Sequence, residues 1–84
     1  MRLIFSTQAW EDYLYWQSTD QKILERINTL IEQTSRSPFK GIGKPEPLKH
    51  ALSGWWSRRI NSEHRMVYSK KDESLEIAQL RYHY

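Results

Sequence analysis

Residues 20–38 read DQKILERINTLIEQTSRSP and carry the strongest periodic pattern in the chain. Their apolar side chains recur every three or four residues, which is typical of the buried face of an α-helix; they are Ile23, Leu24, Ile27, Leu30 and Ile31. Asp20 can cap the start of this helix, and Pro38 marks its end. The stretch therefore predicts one amphipathic helix whose apolar face packs on another layer.

On the amino-terminal side of this helix, the pattern predicts a strand and a second helix. Residues 1–5, MRLIF, form a short apolar run that ends at a polar Ser-Thr step, as a strand does. Ser6 can cap a helix that runs to about Gln17. Four side chains of that helix recur at helical spacing: Trp10, Tyr13, Leu14 and Gln17.

On the carboxyl-terminal side, residues 39–54 are rich in Gly and Pro and are predicted to form a loop. Three strands are predicted after Gly54, over residues 55–60, 64–69 and 75–82. The order β-α-α-β-β-β predicts one α+β domain over residues 1–84. It would consist of an antiparallel sheet with two N-terminal helices packed on one face.

Alternation along the predicted strands assigns two faces to this sheet. Even-numbered residues are mostly apolar and suit the face covered by helices: Trp56, Ile60, Met66, Tyr68, Ala78, Leu80 and Tyr82. Odd-numbered residues are mostly polar: Ser57, Arg59, Arg65, Gln79, Arg81 and His83. Arg58 is an exception on the even side, as are Val67 and Ile77 on the odd side. If no bulge intervenes, Arg59, Arg65 and His83 project from one face.

Composition limits the function classes. The 84 residues suit one domain, and 38% hydrophobic with 27% charged residues suits a soluble globular one. The chain has no Cys, no membrane-length apolar run and too short an apolar start for a signal peptide, so we predict a cytoplasmic protein. The net charge is +3, and cations gather in the second half, where a polyanion would bind.

A carboxylate with restricted backbone lies in the loop, in Lys44-Pro45-Glu46-Pro47. A proline on each side of Glu46 lowers the entropy cost of fixing it, and an ionised carboxylate can accept a proton. Lys44 and Lys49 can keep the carboxylate ionised or bind a phosphate. The alternative is a solvated surface loop.

Arginines and a histidine complete the candidate chemistry. The planar donor fork of Arg65, or of Arg59, matches phosphate oxygens, although a surface or salt-bridged arginine is the alternative. His83 can give a proton to a leaving oxygen, and Tyr84 can stack on a base or orient a neighbour; frayed terminal residues are the alternative. The three histidines are far apart in sequence and have no Cys partners, so no metal or other cofactor is predicted.

The motifs GKPEPLK at 43–49, SGWWSRRI at 53–60, EHRMVY at 63–68 and RYHY at 81–84 together resemble the YoeB toxins of the RelE-like group. WEDYLYW at 10–16 and TDQKILERIN at 19–28 extend the resemblance to essentially the whole chain. Leu80, where a Cys can occur in the family, and Met66, where Leu is common, are conservative departures.

The resemblance implies a microbial-RNase-like fold and the toxin of a type II toxin–antitoxin pair, which cuts mRNA in the ribosomal A site without a metal. It implies Glu46 as general base, Arg65 as phosphate stabiliser, His83 as general acid and Tyr84 as an essential helper. Lys49 and Arg59 match residues that line the site. The implied partners are a YefM-like antitoxin, the 70S ribosome with its mRNA, and a second copy of the chain.

Two other functions are compatible with parts of the sequence. One is a binding module whose basic sheet holds RNA or a partner without cutting. The other is a toxin of the same fold that blocks translation by occupancy alone. The joint presence of Glu46, Arg65 and His83 argues against both, and mapping message ends after expression separates them from a nuclease.

Overall fold

A computed structural model describes residues 1–83. Within this range the chain forms two α-helices and five strands, so the predicted α+β class is confirmed. In chain order they are β1 (Arg2–Phe5), α1 (Thr7–Thr19), α2 (Gln21–Arg36), β2 (Glu46–Pro47), β3 (Trp56–Arg59), β4 (Arg65–Lys71) and β5 (Ser74–Gln79).

The helix α2 begins and ends where the sequence predicts. The Asp20 carboxylate accepts hydrogen bonds from the main-chain N–H groups of Lys22 and Ile23, and the helix ends at Arg36, two residues before Pro38. Leu24, Ile27, Leu30 and Ile31 are buried, and Ile23 is partly buried against the same core. The apolar stripe of α2 thus packs against the sheet.

The four side chains that recur at helical spacing in α1 do not form its buried face. Trp10, Leu14 and Gln17 are exposed, whereas Ala9, Asp12 and Trp16 are buried. Aromatic residues occur all around this short helix, so their spacing alone does not reveal the buried side. The carboxylate of Asp12 is buried because it accepts main-chain and side-chain hydrogen bonds.

The sheet is mixed, with the strand order β1-β5-β4-β3-β2, and not wholly antiparallel as predicted. β3, β4 and β5 form an antiparallel meander, and β2 adds to the outer edge of β3. β1 instead pairs in parallel with β5, for example Phe5 with Ile77. Because both helices and three strands separate β1 from β5 in sequence, no tight turn forces that pair to be antiparallel.

A β-bulge in β5 breaks the predicted even–odd alternation. Val67 lies opposite Gln79, but the next residue, Tyr68, lies opposite Ile77, which leaves Ala78 as the extra residue. Ile77 therefore joins the core under the helices, while Gln79 shares a face with Val67. Of the two odd-numbered apolar exceptions, Ile77 lies in this strand just before the bulge, whereas Val67 lies on β4.

The predicted loop at 39–54 contains two short regular pieces that the sequence did not predict. Glu46–Pro47 forms β2, and His50–Leu52 forms one 3₁₀ turn. Neither carries a periodic apolar pattern. β2 is defined by its pairing with β3, and the 3₁₀ turn is defined by local bonds such as that from the Leu52 N–H to the Lys49 carbonyl. Neither α-helix of residues 1–83 combines the length and apolar character that spanning a membrane requires.

Candidate functional site on the polar face of the sheet

Glu46 lies on the sheet face opposite the helices. It is directly across from Ser57 on β3, which is across from Val67 on β4. Residues directly opposite one another on neighbouring strands project from the same face. Arg59, two residues after Ser57, projects from that face as well. The register therefore puts an exposed carboxylate and an exposed guanidinium on one surface.

Main-chain hydrogen bonds on both sides of Glu46 hold it against the neighbouring strand β3. Before it, the N–H of Arg59 donates to the carbonyl of Gly43 at 2.6 Å. After it, the N–H of Leu48 donates to the carbonyl of Trp55 at 2.9 Å. Pro45 and Pro47 have no N–H to donate, so these two bonds, together with the pairing of Glu46 with Ser57, hold the segment against β3. The proline-flanked glutamate is thus part of the sheet edge and not a loose loop.

Gly43 makes the close approach of this segment possible. Its φ is +80°, a left-handed conformation that glycine adopts without strain. A Cβ built there would lie 3.0 Å from Leu30 Cδ2 and 3.2 Å from the carbonyl oxygen of Arg59. The glycine before the KPEP motif is therefore required by both backbone conformation and space.

Arg65 lies directly across from Arg59, so two guanidinium groups project from neighbouring strands on the polar face. Like charges in this arrangement repel unless an anion lies between them. Arg65 is buried, and its Nη1 donates to the carbonyls of Asn61 at 2.8 Å and His64 at 3.1 Å. These carbonyls of the β3–β4 turn fix the guanidinium before any ligand binds. The pair has the charge and the geometry to hold a phosphate.

Leu80 and Tyr82, which follow β5, are hydrogen-bonded to the body of the protein. The N–H of Leu80 donates to Asp12 Oδ2 at 3.0 Å, and its carbonyl accepts from Trp16 Nε1 at 2.8 Å. Two residues later, the carbonyl of Tyr82 accepts from the N–H of Arg65 at 3.0 Å. His83 follows at once, is exposed, and so leaves the sheet beside Arg65.

The remaining candidates have simpler positions. Lys44 and Lys49 are exposed, two residues before and three residues after Glu46. Lys49 lines an open depression on the surface together with Pro47, Leu48, His50 and Leu52. Tyr84 lies outside the described residues. Among residues 1–83, no three His, Cys, Asp or Glu side chains lie close enough together to hold a metal ion.

Sequence reasoning missed the role of Arg58, which is fully buried on the helix side of the sheet. Its guanidinium donates to the carbonyls of Ser37, Lys40 and Ile42 and to the hydroxyl of Tyr68. The Tyr68 hydroxyl in turn donates to the carbonyl of Pro38 at 2.6 Å. Arg58 therefore fixes the segment that leads from α2 to Gly43. Its even-numbered position, among core residues, was the available signal.

Burial raises the pKa of the Tyr68 phenol above its usual value of 10.0, although the hydrogen bond from Arg58 and its positive charge act in the opposite direction. The phenol is therefore neutral at physiological pH and able to donate to Pro38.

Comparison with known proteins identifies the family. The model of the YoeB-like toxins of bacterial type II toxin–antitoxin systems matches residues 5–84. The chain belongs to the YoeB toxin family. Toxin YoeB of Escherichia coli K12 is 63% identical over all 84 residues of both chains. The chain is thus the toxin of a type II toxin–antitoxin system.

Solved structures of YoeB proteins have the same fold. The YoeB/ParE toxin from Agrobacterium tumefaciens is 49% identical, with complete coverage of both chains and a TM-score of 0.96. A YoeB dimer from Staphylococcus aureus is 48% identical, with a TM-score of 0.93 over all of this chain and 98% of the other. A YoeB–YefM complex from the same organism has a TM-score of 0.92 at 47% identity, with the same coverage.

Proposed function

We propose that this YoeB toxin is a ribosome-dependent endoribonuclease that cuts mRNA in the ribosomal A site and so inhibits translation. The observation that carries the proposal is the shared face of Glu46, Arg59 and Arg65, with His83 leaving the sheet next to Arg65. A base, two phosphate-binding guanidinium groups and an acid are the groups that RNA cleavage without a metal requires.

In the proposed reaction, Glu46 removes the proton of a ribose 2′-hydroxyl. The 2′-oxygen then bonds to the adjacent phosphorus as the bond from phosphorus to the 5′-oxygen breaks. Arg65, Arg59 and Lys49 stabilise the negative charge that grows on the phosphoryl oxygens. His83 gives its proton to the departing 5′-oxygen, so the products are a 2′,3′-cyclic phosphate and a 5′-hydroxyl. We assign Tyr84 a supporting role at the same linkage, and Lys44 electrostatic binding of the RNA backbone.

The ribosome is proposed to supply the substrate-holding surface. Glu46, Arg59 and His83 are exposed, and the depression that Lys49 lines is open, so this surface by itself leaves a flexible RNA unordered. Holding the reacting groups in line removes much of the entropy cost of the reaction, and the A site can do this for a message. The toxin would then act in the cytoplasm, where ribosomes translate.

The partners are proposed from the solved relatives and from the surface of this chain. The Staphylococcus aureus protein forms a dimer and a complex with YefM, and we infer a YefM-like antitoxin and a homodimer for this protein. Leu3, Trp10 and Leu14 are between 41% and 50% exposed on β1 and α1, and apolar surface of this kind marks protein interfaces.

Two charge-removing variants test the catalytic roles. Glu46→Gln and His83→Gln should each slow single-turnover cleavage of a ribosome-bound message by about 10²–10⁴-fold, because each removes one proton-transfer group. Glu73→Gln, an exposed carboxylate in the β4–β5 turn, is the matched control and should cut normally. Circular dichroism should show all three variants folded. Near-normal cutting by either catalytic variant removes that residue from its role, and binding without cutting by the unsubstituted toxin refutes the nuclease.

A further inference from the structure

Two of the three residues before His83, Leu80 and Tyr82, are fixed by groups of distant elements. Leu80 is bound through both of its main-chain groups by Asp12 and Trp16 of α1. Tyr82 is likewise bound through both of its main-chain groups. Its carbonyl accepts from the Arg65 N–H, and its N–H donates to Nδ1 of the His64 imidazole at 2.8 Å.

The two hydrogen bonds at Tyr82 determine where His83 lies. Each involves one of the two planar peptide units that meet at the Cα of Tyr82, and planarity passes the constraint to the neighbouring residue. Between these units Tyr82 adopts φ +66°, a left-handed conformation that a tyrosine keeps only when its surroundings enforce it. Loss of the His64 bond would remove one of the two main-chain constraints at Tyr82.

The imidazole of His64 is built for this contact. The residue is 7% exposed, and its ring packs edge-on against Trp16 with 4.8 Å between centroids. Since Nδ1 accepts a hydrogen bond, it carries no proton, and the ring proton is on Nε2. Nε2 lies 3.8 Å from the exposed carboxylate of Glu63, which is too far for a hydrogen bond. Trp16 of α1 thus contacts His64 and also donates to the Leu80 carbonyl. The helix α1 therefore supports the hydrogen bonds at both Leu80 and Tyr82.

We propose that His64 is a positioning residue for cleavage, which through the Tyr82 amide holds His83 beside Arg65 at the scissile phosphate. This inference rests on the proposed nuclease function. It assigns His64 no contact with RNA. A displacement of about 1 Å in a reacting group can cost about 10²-fold in rate, so a hydrogen bond to the residue before the acid is close enough to matter.

Two variants of nearly equal shape separate the hydrogen bond from packing. In His64→Asn the amide oxygen occupies the position of Nδ1 and still accepts, whereas His64→Leu puts a methyl group there. Both lose the same ring contact with Trp16. Glu63→Gln is the control for the Nε2 side. His64→Ala replaces the leucine variant if that variant does not fold.

The measurements are single-turnover cleavage on programmed ribosomes and hydrogen exchange of the Tyr82 amide. We expect His64→Leu to lower the cleavage rate constant about 10- to 100-fold without weakening ribosome binding, and to speed Tyr82 exchange at least tenfold. His64→Asn should restore both to within about threefold, and Glu63→Gln should leave both unchanged.

Equal impairment of the asparagine and leucine variants would show that the ring packing matters and the hydrogen bond does not. If His64→Leu cuts at the normal rate although its Tyr82 amide exchanges rapidly, cleavage does not depend on holding Tyr82 in place. If the unsubstituted toxin does not cut, the proposed nuclease function is wrong. The exchange rates of the Tyr82 amide in the His64 variants still decide whether His64 holds Tyr82 in place.

Discussion

Two adjacent arginines, Arg58 and Arg59, have opposite surroundings because successive residues of a strand project from opposite faces. Arg58 is fully buried and bound by three main-chain carbonyls and the Tyr68 hydroxyl. Arg59 is exposed on the polar face opposite Arg65. The first therefore acts on folding, and the second is available to a phosphate.

Lysine substitutions should separate these two roles. Lysine keeps the charge but lacks the planar fork, so Arg58→Lys leaves buried carbonyls without donors and should lower the free energy of unfolding by about 2–4 kcal/mol. Arg59→Lys should change it by less than about 0.5 kcal/mol and slow cleavage about tenfold or more. Urea denaturation and single-turnover cleavage measure both. Equal stability losses in the two variants would contradict the assignment.

Two glycines with positive φ provide a second comparison at single positions. A Cβ at Gly43 would crowd Leu30 and Arg59, whereas a Cβ at Gly54, with φ +95°, meets nothing within 4 Å. Both alanine variants should lose about 1 kcal/mol from backbone strain, and Gly43→Ala about 1–3 kcal/mol more from crowding. Thermal denaturation of the two variants checks the difference, and equal melting temperatures would show that the KPEP segment does not need close packing.

Among the secondary-structure elements, those with local signals were predictable from sequence. The cap at Asp20, the apolar period and Pro38 all lie within α2 or beside it, so its bounds were predicted well. The parallel pairing of β1 and the bulge at Ala78 depend on partners far along the chain, and local pattern does not encode them. β2 consists of two residues and exists only through its pairing with β3.

The candidate site was likewise predictable only for those residues that local sequence features single out. Residue type and flanking prolines singled out Glu46, and the guanidinium fork singled out Arg59 and Arg65. The sequence did not reveal the groups that hold the chain after β5, because Asp12 and Trp16 bind the main chain of Leu80, more than 60 positions away. A buried carboxylate on a helix face was the signal available for Asp12, since such a group requires a donor.

The contact between β4 and the segment after α2 should be sensitive to alkaline pH. Burial raises the pKa of Tyr68, so the folded protein keeps this phenol neutral at pH values where the unfolded chain loses its proton. The stabilisation is fully present below about pH 10 and is lost as the pH rises through the folded-state pKa. Tyr68→Phe should lower the free energy of unfolding by about 1–2 kcal/mol at neutral pH. Above about pH 10, this free energy should fall less steeply in the variant than in the unsubstituted protein. Identical alkaline slopes for the two proteins would contradict this.

For the whole molecule, the sheet order places the pieces of the site along one surface. β2 and β3 at one edge carry Glu46 and Arg59, β4 in the interior carries Arg65, and the residues after β5 return to β4 and bring His83 there. The helices cover the other face and carry the core. The molecule thus has one polar sheet face that carries the candidate residues and one helical layer that supports it.

We propose that Glu46, Arg65 and His83 act together on one ribose–phosphate linkage of a message held by the ribosome. The most direct measurement follows one short message, free or bound in programmed ribosomes, with ribose or a single 2′-deoxyribose at the cut position. We predict rapid cutting of the bound ribose message to a 2′,3′-cyclic phosphate and a 5′-hydroxyl. The free message should be cut at least about 10²-fold more slowly, and the deoxy position should stay intact. Cutting at the deoxy position, or equal rates for free and bound message, would contradict the account.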